Sequence, residues 1–251
     1  MDEIFARNVL YWGEDAQNKI ASSHIAVFGL GGVGGFCAEA LARSGVGELT
    51  LVDFDKVSKS NINRQIVALN SSVGMFKTEL FEKRLKDINP DIKLHLINEF
   101  YQESFDFSGI NYVADAIDTM RSKVNLLVKC LENNVRVISS MGAGNRINPE
   151  KLYISDISEI HDKKAPFVSN IIYQLKKKGI TSGITVVTSD EKPFVQEKIS
   201  EIENIRTRSG EVVQFNKIIP SSTPFVASCA GIFMASRIIN AVSYTHLTLP
   251  T

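Results

Sequence analysis

Cysteine is scarce in this chain. Cys37, Cys130 and Cys229 are its only cysteines, and no two of them stand at CxxC spacing. That weighs against a disulfide framework and against a four-cysteine zinc site, and leaves reduced thiols filling apolar positions in a cytoplasmic protein as the expectation. Net charge is lacking as well, because 28 Lys and Arg balance 28 Asp and Glu. Contact with nucleic acid would therefore have to come from a local basic patch. Residues 1–7 begin acidic and hold no apolar stretch of the kind a signal peptide needs. The longest apolar stretch, 225–242, is interrupted by Ser228, Ser236, Arg237 and Asn240, so it reads as a buried helix and no membrane partner is expected. Internal repeats and low-complexity tracts are also missing.

What is present is an alternation of short apolar runs with longer amphipathic ones. Residues 2–20 carry a helical pattern. Strands are expected at 24–28, 48–53, 92–98, 112–115 and 135–139, with helices at 36–44, 76–88 and 122–133 between them. Such an order predicts a Rossmann-like, doubly wound α/β core, with a mainly parallel sheet and helices on both faces. The pattern then changes into a C-terminal extension. Strands are expected at 152–157 and 185–188, helices at 165–178 and 224–242, and a polar loop or irregular helix over 189–210. Residues 1–242 are expected to form one domain, with a nucleotide-binding core over 1–145 and a substrate-side extension over 146–242. Residues 243–251 break the helical pattern, read as translated adapter sequence, and are expected to be a non-native tail.

The first strand runs into Gly29-x-Gly31-Gly32-x-Gly34. In a strand–turn–helix setting the first glycine permits a tight turn, the second lets the backbone approach phosphate oxygens, and the third lets the helix pack close to the sheet. The helix N-terminus offers free N–H groups to an anion. Asp53, ending the second strand, can bond both hydroxyls of a ribose. Together these residues point to an adenosine nucleotide. A nicotinamide dinucleotide would make no use of the polar residues that follow, which include Asn61, Arg64 and Gln65, nor of Lys77 at the start of the next helix. Arg64 and Lys77 suit a triphosphate, whose charge builds on the α-phosphate and the departing pyrophosphate. Asp118, expected at the rim of the sheet after the fourth strand, can hold a magnesium ion that bridges phosphate oxygens. Each residue alone has an ordinary reading as a solvated charge or a helix cap; their joint order favours the functional one.

The set GxGGxG, Asp53, Asn61, Arg64-Gln65, Lys77 and Asp118 resembles the adenylation core of the ubiquitin-activating-enzyme superfamily, the group of ThiF, MoeB and HesA, over residues 5 to about 240. The resemblance implies ATP and Mg2+ as cofactors. It implies that Gly29, Gly31, Gly32 and Gly34 line the phosphates and that Asp53 binds ribose. It assigns phosphate contacts to Asn61, Arg64 and Lys77, and the metal to Asp118. It further implies that Arg7 reaches the phosphates of a partner subunit, so that the protein is a homodimer with composite sites.

Within that superfamily, the sulfur-carrier-activating branches commonly carry paired CxxC motifs, which are lacking here. Ubiquitin-type activators need a reactive cysteine, and none of the three has a context that promises exposure and a lowered pKa. The chain is more similar to the tRNA threonylcarbamoyladenosine dehydratase branch at 140–144, Asn148-Pro149, 156–158, 176–180, 186–193 and 224–231. It departs from that pattern at 167–173 and 194–209. The resemblance implies an ATP-dependent dehydratase that adenylates a carboxylate in tRNA and cyclises it with loss of water, with a sulfur-relay protein as a further partner. The alternatives are an adenylyltransferase for a small ubiquitin-like sulfur-carrier protein, a nicotinamide-dependent oxidoreductase, and a nucleotide-binding subunit without turnover. Lys176, Lys177 and Lys178, with Lys163 and Lys164, can meet RNA phosphates; their rival reading is a solvated helix end that favours the dipole.

Overall fold

The computed structural model describes residues 3–194, 200–206, 212–218 and 220–243. Its central sheet has seven strands: β1 (His24–Phe28), β2 (Glu48–Val52), β3 (Lys93–Ile97), β4 (Tyr112–Asp115), β5 (Arg136–Ser140), β6 (Leu152–Asp156) and β7 (Thr185–Ser189). They lie in the order β3-β2-β1-β4-β5-β7-β6. All neighbours run parallel except β6, which pairs antiparallel with β7. The chain order reverses between β1 and β4, and the crevice beyond the carboxyl ends of those two strands is where an open α/β sheet receives its ligand.

Helices cover both faces. On one side, α3 (Gly34–Arg43), α4 (Lys77–Ile88) and α7 (Pro224–Ser243) bury Cys37, Leu41, Phe81, Leu85, Met234 and Ile238 against β1 and β2. On the other, α5 (Met120–Glu132) and α6 (Pro166–Lys177) bury Leu126, Leu127, Val168, Ile171 and Leu175. α7 is long and apolar enough to cross a membrane, yet half of its apolar window is buried against the rest of the protein. It crosses α3 so closely that a Cβ at Gly231 would stand 2.2 Å from the carbonyl oxygen of Val33. Its burial accords with the core helix expected there.

Two expectations are corrected, and one helix boundary moves by a residue. The helical pattern over 2–20 is a short 3-10 turn, Glu3–Phe5, followed by two helices, α1 (Ala6–Trp12) and α2 (Glu14–Ala21). Gly13 separates them at φ +83°, outside the right-handed helical region. The polar region expected to be loop or irregular helix contains β8 (Ser200–Arg206), which forms an antiparallel two-stranded sheet with β9 (Val212–Ile218). Charge density in 198–203 masked the first strand. The second carries the β-branched and aromatic composition of a strand in Val212-Val213-Gln214-Phe215. Finally, α7 runs through Ser243, whose hydroxyl donates to the carbonyl of Ile239 at 2.7 Å. The tail expectation for 244–251 lies outside the described residues.

Candidate active site

The turn after β1 is shaped by contacts that leave no room for side chains at Gly29 and Gly34. Gly29 has φ +85°, and a Cβ there would lie 2.8 Å from the carbonyl oxygen of Ala116, just beyond β4. A Cβ at Gly34 would lie 1.8 Å from the carbonyl oxygen of Gly29. One at Gly32 would press on the Ala227 Cβ at 3.2 Å and the Arg64 Cγ at 3.3 Å. At Gly31 the nearest atom is the Gln65 Nε2, 3.7 Å away, so this is the glycine whose backbone stays approachable. Val33 precedes α3 without a side-chain cap, and the Gly35 N–H donates to the Gly31 carbonyl at 3.1 Å, so the first turn is open in part to an outside acceptor. Gln65 is buried and its side-chain amide oxygen has no hydrogen-bond partner. As an acceptor it calls for a donor, a water or an N–H or O–H group of a ligand, and not for a phosphate oxygen. The approachable backbone at Gly31 and the helix N-terminus are what fit a phosphate-bearing ligand.

Asp53 follows β2 and is buried. Its Oδ2 accepts from the backbone N–H of Leu30 at 2.6 Å, and its Oδ1 from that of Asp55 at 2.8 Å. These bonds lock the carboxylate to the glycine turn. Burial pushes its carboxyl above the usual range, outweighing the Lys77 ammonium and the two N–H donors. Lys77 opens α4 and is buried with its Nζ 2.7 Å from Asp55 Oδ2 and 3.7 Å from Asp53 Oδ2.

Arg64 is half-buried. Its stem covers Gly32, and its Nη1 donates to the carbonyl of Ser60 at 2.8 Å and to Asn63 Oδ1 at 3.0 Å. Burial lowers its pKa and the nearby Asp118 carboxylate opposes that shift. Asn61 shapes this corner. Its Oδ1 accepts from the N–H of Ser58 at 3.1 Å, and its carbonyl accepts from the N–H groups of Arg64 and Gln65.

β4 ends at Asp115, three residues before Asp118, so the two carboxylates have different surroundings. Asp115 is fully buried. Its Oδ2 accepts from Lys123 Nζ at 2.6 Å and from the Ser139 hydroxyl at 2.6 Å, while its Oδ1 accepts from the N–H of Ile117 at 3.1 Å. That buried pair holds the turn on which Asp118 stands exposed. A solvated carboxylate opposite a phosphate-binding turn fits Mg2+, which takes one or two carboxylates and keeps waters and phosphate oxygens as its other ligands.

The structure therefore brings Gly29, Gly31, Gly32, Gly34, Asp53, Arg64, Lys77 and Asp118 to the β1/β4 crevice, with Asn61 behind Arg64. Arg7 is not among them. It is exposed on α1, whose Asn8 side chain donates to the carbonyl of Arg43 at the far end of α3. A ten-residue helix puts it about 15 Å from the glycine turn. Sequence reading missed Asp55 as a partner of Lys77, and missed the Asp115–Lys123–Ser139 cluster. Lys123 lies on a helix eight positions after Asp115 and has the outward look of a solvated lysine. The one available signal was the strand end in front of it. Cys37 and Cys130 are buried, and burial pushes both thiols up, away from nucleophilic use.

A sequence model of the ThiF family matches residues 5–246. The chain is 40% identical to the tRNA threonylcarbamoyladenosine dehydratase of Bacillus subtilis (strain 168), over 94% of this chain and 92% of that protein. Its fold superposes on the E. coli tRNA N6-threonylcarbamoyladenosine dehydratase in complex with ATP with a TM-score of 0.81 and 29% identity, covering 96% of this chain and 93% of that one. Similarity to the molybdopterin-synthase adenylyltransferase of Haemophilus influenzae is narrower: 35% identity over 50% of this chain and 53% of that protein.

Proposed function

We propose, from the premise that this chain belongs to the ThiF family, that it is an ATP-dependent dehydratase acting on threonylcarbamoyladenosine in tRNA. The observation that carries this reading is the 40% identity to a dehydratase along 94% of the chain, joined to a crevice where half-buried Arg64 covers Gly32 and buried Lys77 lies beside the Asp53 carboxylate that is bonded to the glycine turn. The likeness to an adenylyltransferase covers half of the chain, which leaves a carrier-protein substrate as the weaker reading.

In this mechanism a threonine carboxylate oxygen attacks the α-phosphorus of ATP and pyrophosphate leaves. The carboxyl carbon now bears AMP, a better leaving group than oxide. The neighbouring carbamoyl group attacks that carbon, AMP departs with the former carboxylate oxygen, and a ring closes with net loss of water. Holding both groups on one nucleoside supplies effective concentration. Asp53 orients the ribose. Arg64, Lys77 and Asn61 bind the phosphates, and the two cations meet the charge that grows as the α-phosphate–pyrophosphate bond breaks. Asp118 would hold Mg2+, which supplies further charge neutralisation to the phosphates. Arg7 serves the site of a partner subunit in a homodimer. The exposed end of α6, with Tyr173, Lys176, Lys177 and Lys178, offers an aromatic face and positive charge to tRNA. A sulfur-relay protein is a further partner, and the substrate implies a cytoplasmic enzyme.

The test is to incubate the purified protein with ATP, magnesium and tRNA bearing the nucleoside, and then weigh the nucleoside. Loss of one water that depends on ATP is expected. Pyrophosphate exchange stimulated only by a small carrier protein would overturn the reading.

A further inference from the structure

At the other end of the sheet, His24, Glu48 and His95 stand on three adjacent strands. In the parallel register His24 is opposite Glu48 and His95 is opposite Thr50, so all four side chains share one face. His95 Nε2 lies 2.7 Å from Glu48 Oε1, and His24 Nδ1 lies 3.5 Å from the same oxygen. One ligand atom from each of the three residues falls within 4.8 Å of the others. The second ring nitrogen of His24 sits 2.8 Å from the hydroxyl of Thr50. Thr50 can partner either tautomer of His24; the one with its proton on Nε2 leaves Nδ1 free to take a metal, with the hydroxyl as the outer support a metal-binding imidazole commonly has.

We propose that His24, Glu48 and His95 form a zinc site that cross-links the edge strand β3 to β2 and β1. Two imidazoles and a carboxylate suit Zn2+, whereas Mg2+ and Ca2+ prefer oxygen alone. Tetrahedral Zn2+ with bonds of ~2.1 Å sets its ligand atoms on the order of 3.3 Å apart, so only small side-chain adjustments are needed. His95 is the free member, with its side chain 54% exposed, while His24 and Glu48 are held on interior strands. The cluster opens into a cavity of about 780 Å³ that is also lined by Phe100, Tyr101 and Asn111, which gives the ion an entry path and room for a water as fourth ligand. β1 has five residues and separates this cluster from the glycine turn by about 13 Å. The ion's role is therefore to tie strands together, apart from phosphate chemistry.

The experiment uses the full chain, stripped with chelator and free of ATP, titrated calorimetrically with ZnCl2 and separately with MgCl2. Wild type, His24→Ala and His95→Ala are compared, with His161→Ala as a control for the other described histidine beside a carboxylate. One Zn2+ per chain is expected, with a raised melting temperature. Binding should be weakened at least about tenfold in both cluster variants and unchanged in the control, and Mg2+ should give no signal at this site. His95 is exposed at an edge, so His95→Ala keeps the fold should His24→Ala fail to. Zinc binding that survives undiminished in His95→Ala, or no stoichiometric zinc binding by wild type, overturns the proposal.

Discussion

The Nζ of Lys77 lies 3.7 Å from the carboxylate of Asp53, with the two side chains 4% and 6% exposed. The cation proposed to meet pyrophosphate is thus the one that compensates the buried carboxylate proposed to bind ribose. Lys77→Met removes that compensation and is expected to cost about 3 kcal/mol of stability along with at least ~100-fold of turnover. The double variant Lys77→Met with Asp53→Asn is expected to regain part of the stability, because an amide keeps only one of the two backbone N–H bonds that Asp53 accepts, and none of the activity. Denaturant melts beside ATP turnover separate the two effects. Equal loss of stability in the single and double variants would refute the coupling.

Gly34 and Gly31 are expected to respond differently to one added methyl group. Gly34→Ala drives a Cβ into the Gly29 carbonyl, which is backbone and cannot step aside, so a folding defect of several kcal/mol is expected. Gly31→Ala meets only the end of Gln65 at 3.7 Å. It should fold within about 1 kcal/mol of wild type and show its damage as a raised KM for ATP. Thermal melts with and without ATP check both.

Arg64 and Asp118 lie at the solvent edge of the crevice, so their removal should spare the fold. Arg64→Ala is expected to lower kcat by roughly 100-fold or more with little change in melting temperature. Asp118→Asn is expected to raise the magnesium concentration needed for half-maximal rate. A magnesium titration that overlays wild type would remove Asp118 from the metal.

Arg7 is expected to work across subunits. Arg7→Ala and Arg64→Ala are each expected to be inactive. Mixing the two chains under subunit exchange should restore about a quarter of wild-type activity, because half of the dimers then carry one intact composite site. No recovery in a mixture shown to exchange would confine Arg7 to a surface role.

Glu39 gives the fold a pH dependence on the acid side. It ties α3 to α4 by accepting hydrogen bonds from Arg43 and Arg84. Burial alone would raise its carboxyl, but these bonds outweigh burial and hold it below the usual range. A depressed carboxyl contributes stability above its unfolded value, near pH 4.3–4.5, and that contribution is lost as pH falls through the folded value. Glu39→Gln should therefore be less stable than wild type at pH 7, by about 1 kcal/mol given the exposure of both arginines. The gap should close on acidification below about pH 4. A gap that is constant with pH contradicts this assignment.

The strand–glycine turn–helix unit was legible because its signals are local. A run of apolar residues ends in Gly29, and a helix pattern begins at Phe36. Asp53, Arg64, Lys77 and Asp118 were singled out by their order along the chain, and the fold gathers them at one crevice. What the order does not carry is the partner of each charge. Lys77 meets Asp55 and Lys123 meets Asp115 because burial makes solvation unavailable, and burial is a property of the folded sheet. The His24–Glu48–His95 cluster is hidden for the same reason, since strand register alone joins residues so far apart. β8 was read as loop because its charges resemble those of one, and β9 lies in a stretch to which no element was assigned despite its β-branched and aromatic residues.

The most direct test follows oxygen. Threonylcarbamoyladenosine in tRNA, labelled with 18O in its carboxylate, is turned over by the protein with unlabelled ATP, and the nucleotide products are weighed. Attack on the α-phosphorus makes AMP and pyrophosphate, with one 18O carried into AMP. Label in orthophosphate with ADP as the nucleotide product would mean attack at the γ-phosphorus, and would contradict an active site charged to release pyrophosphate.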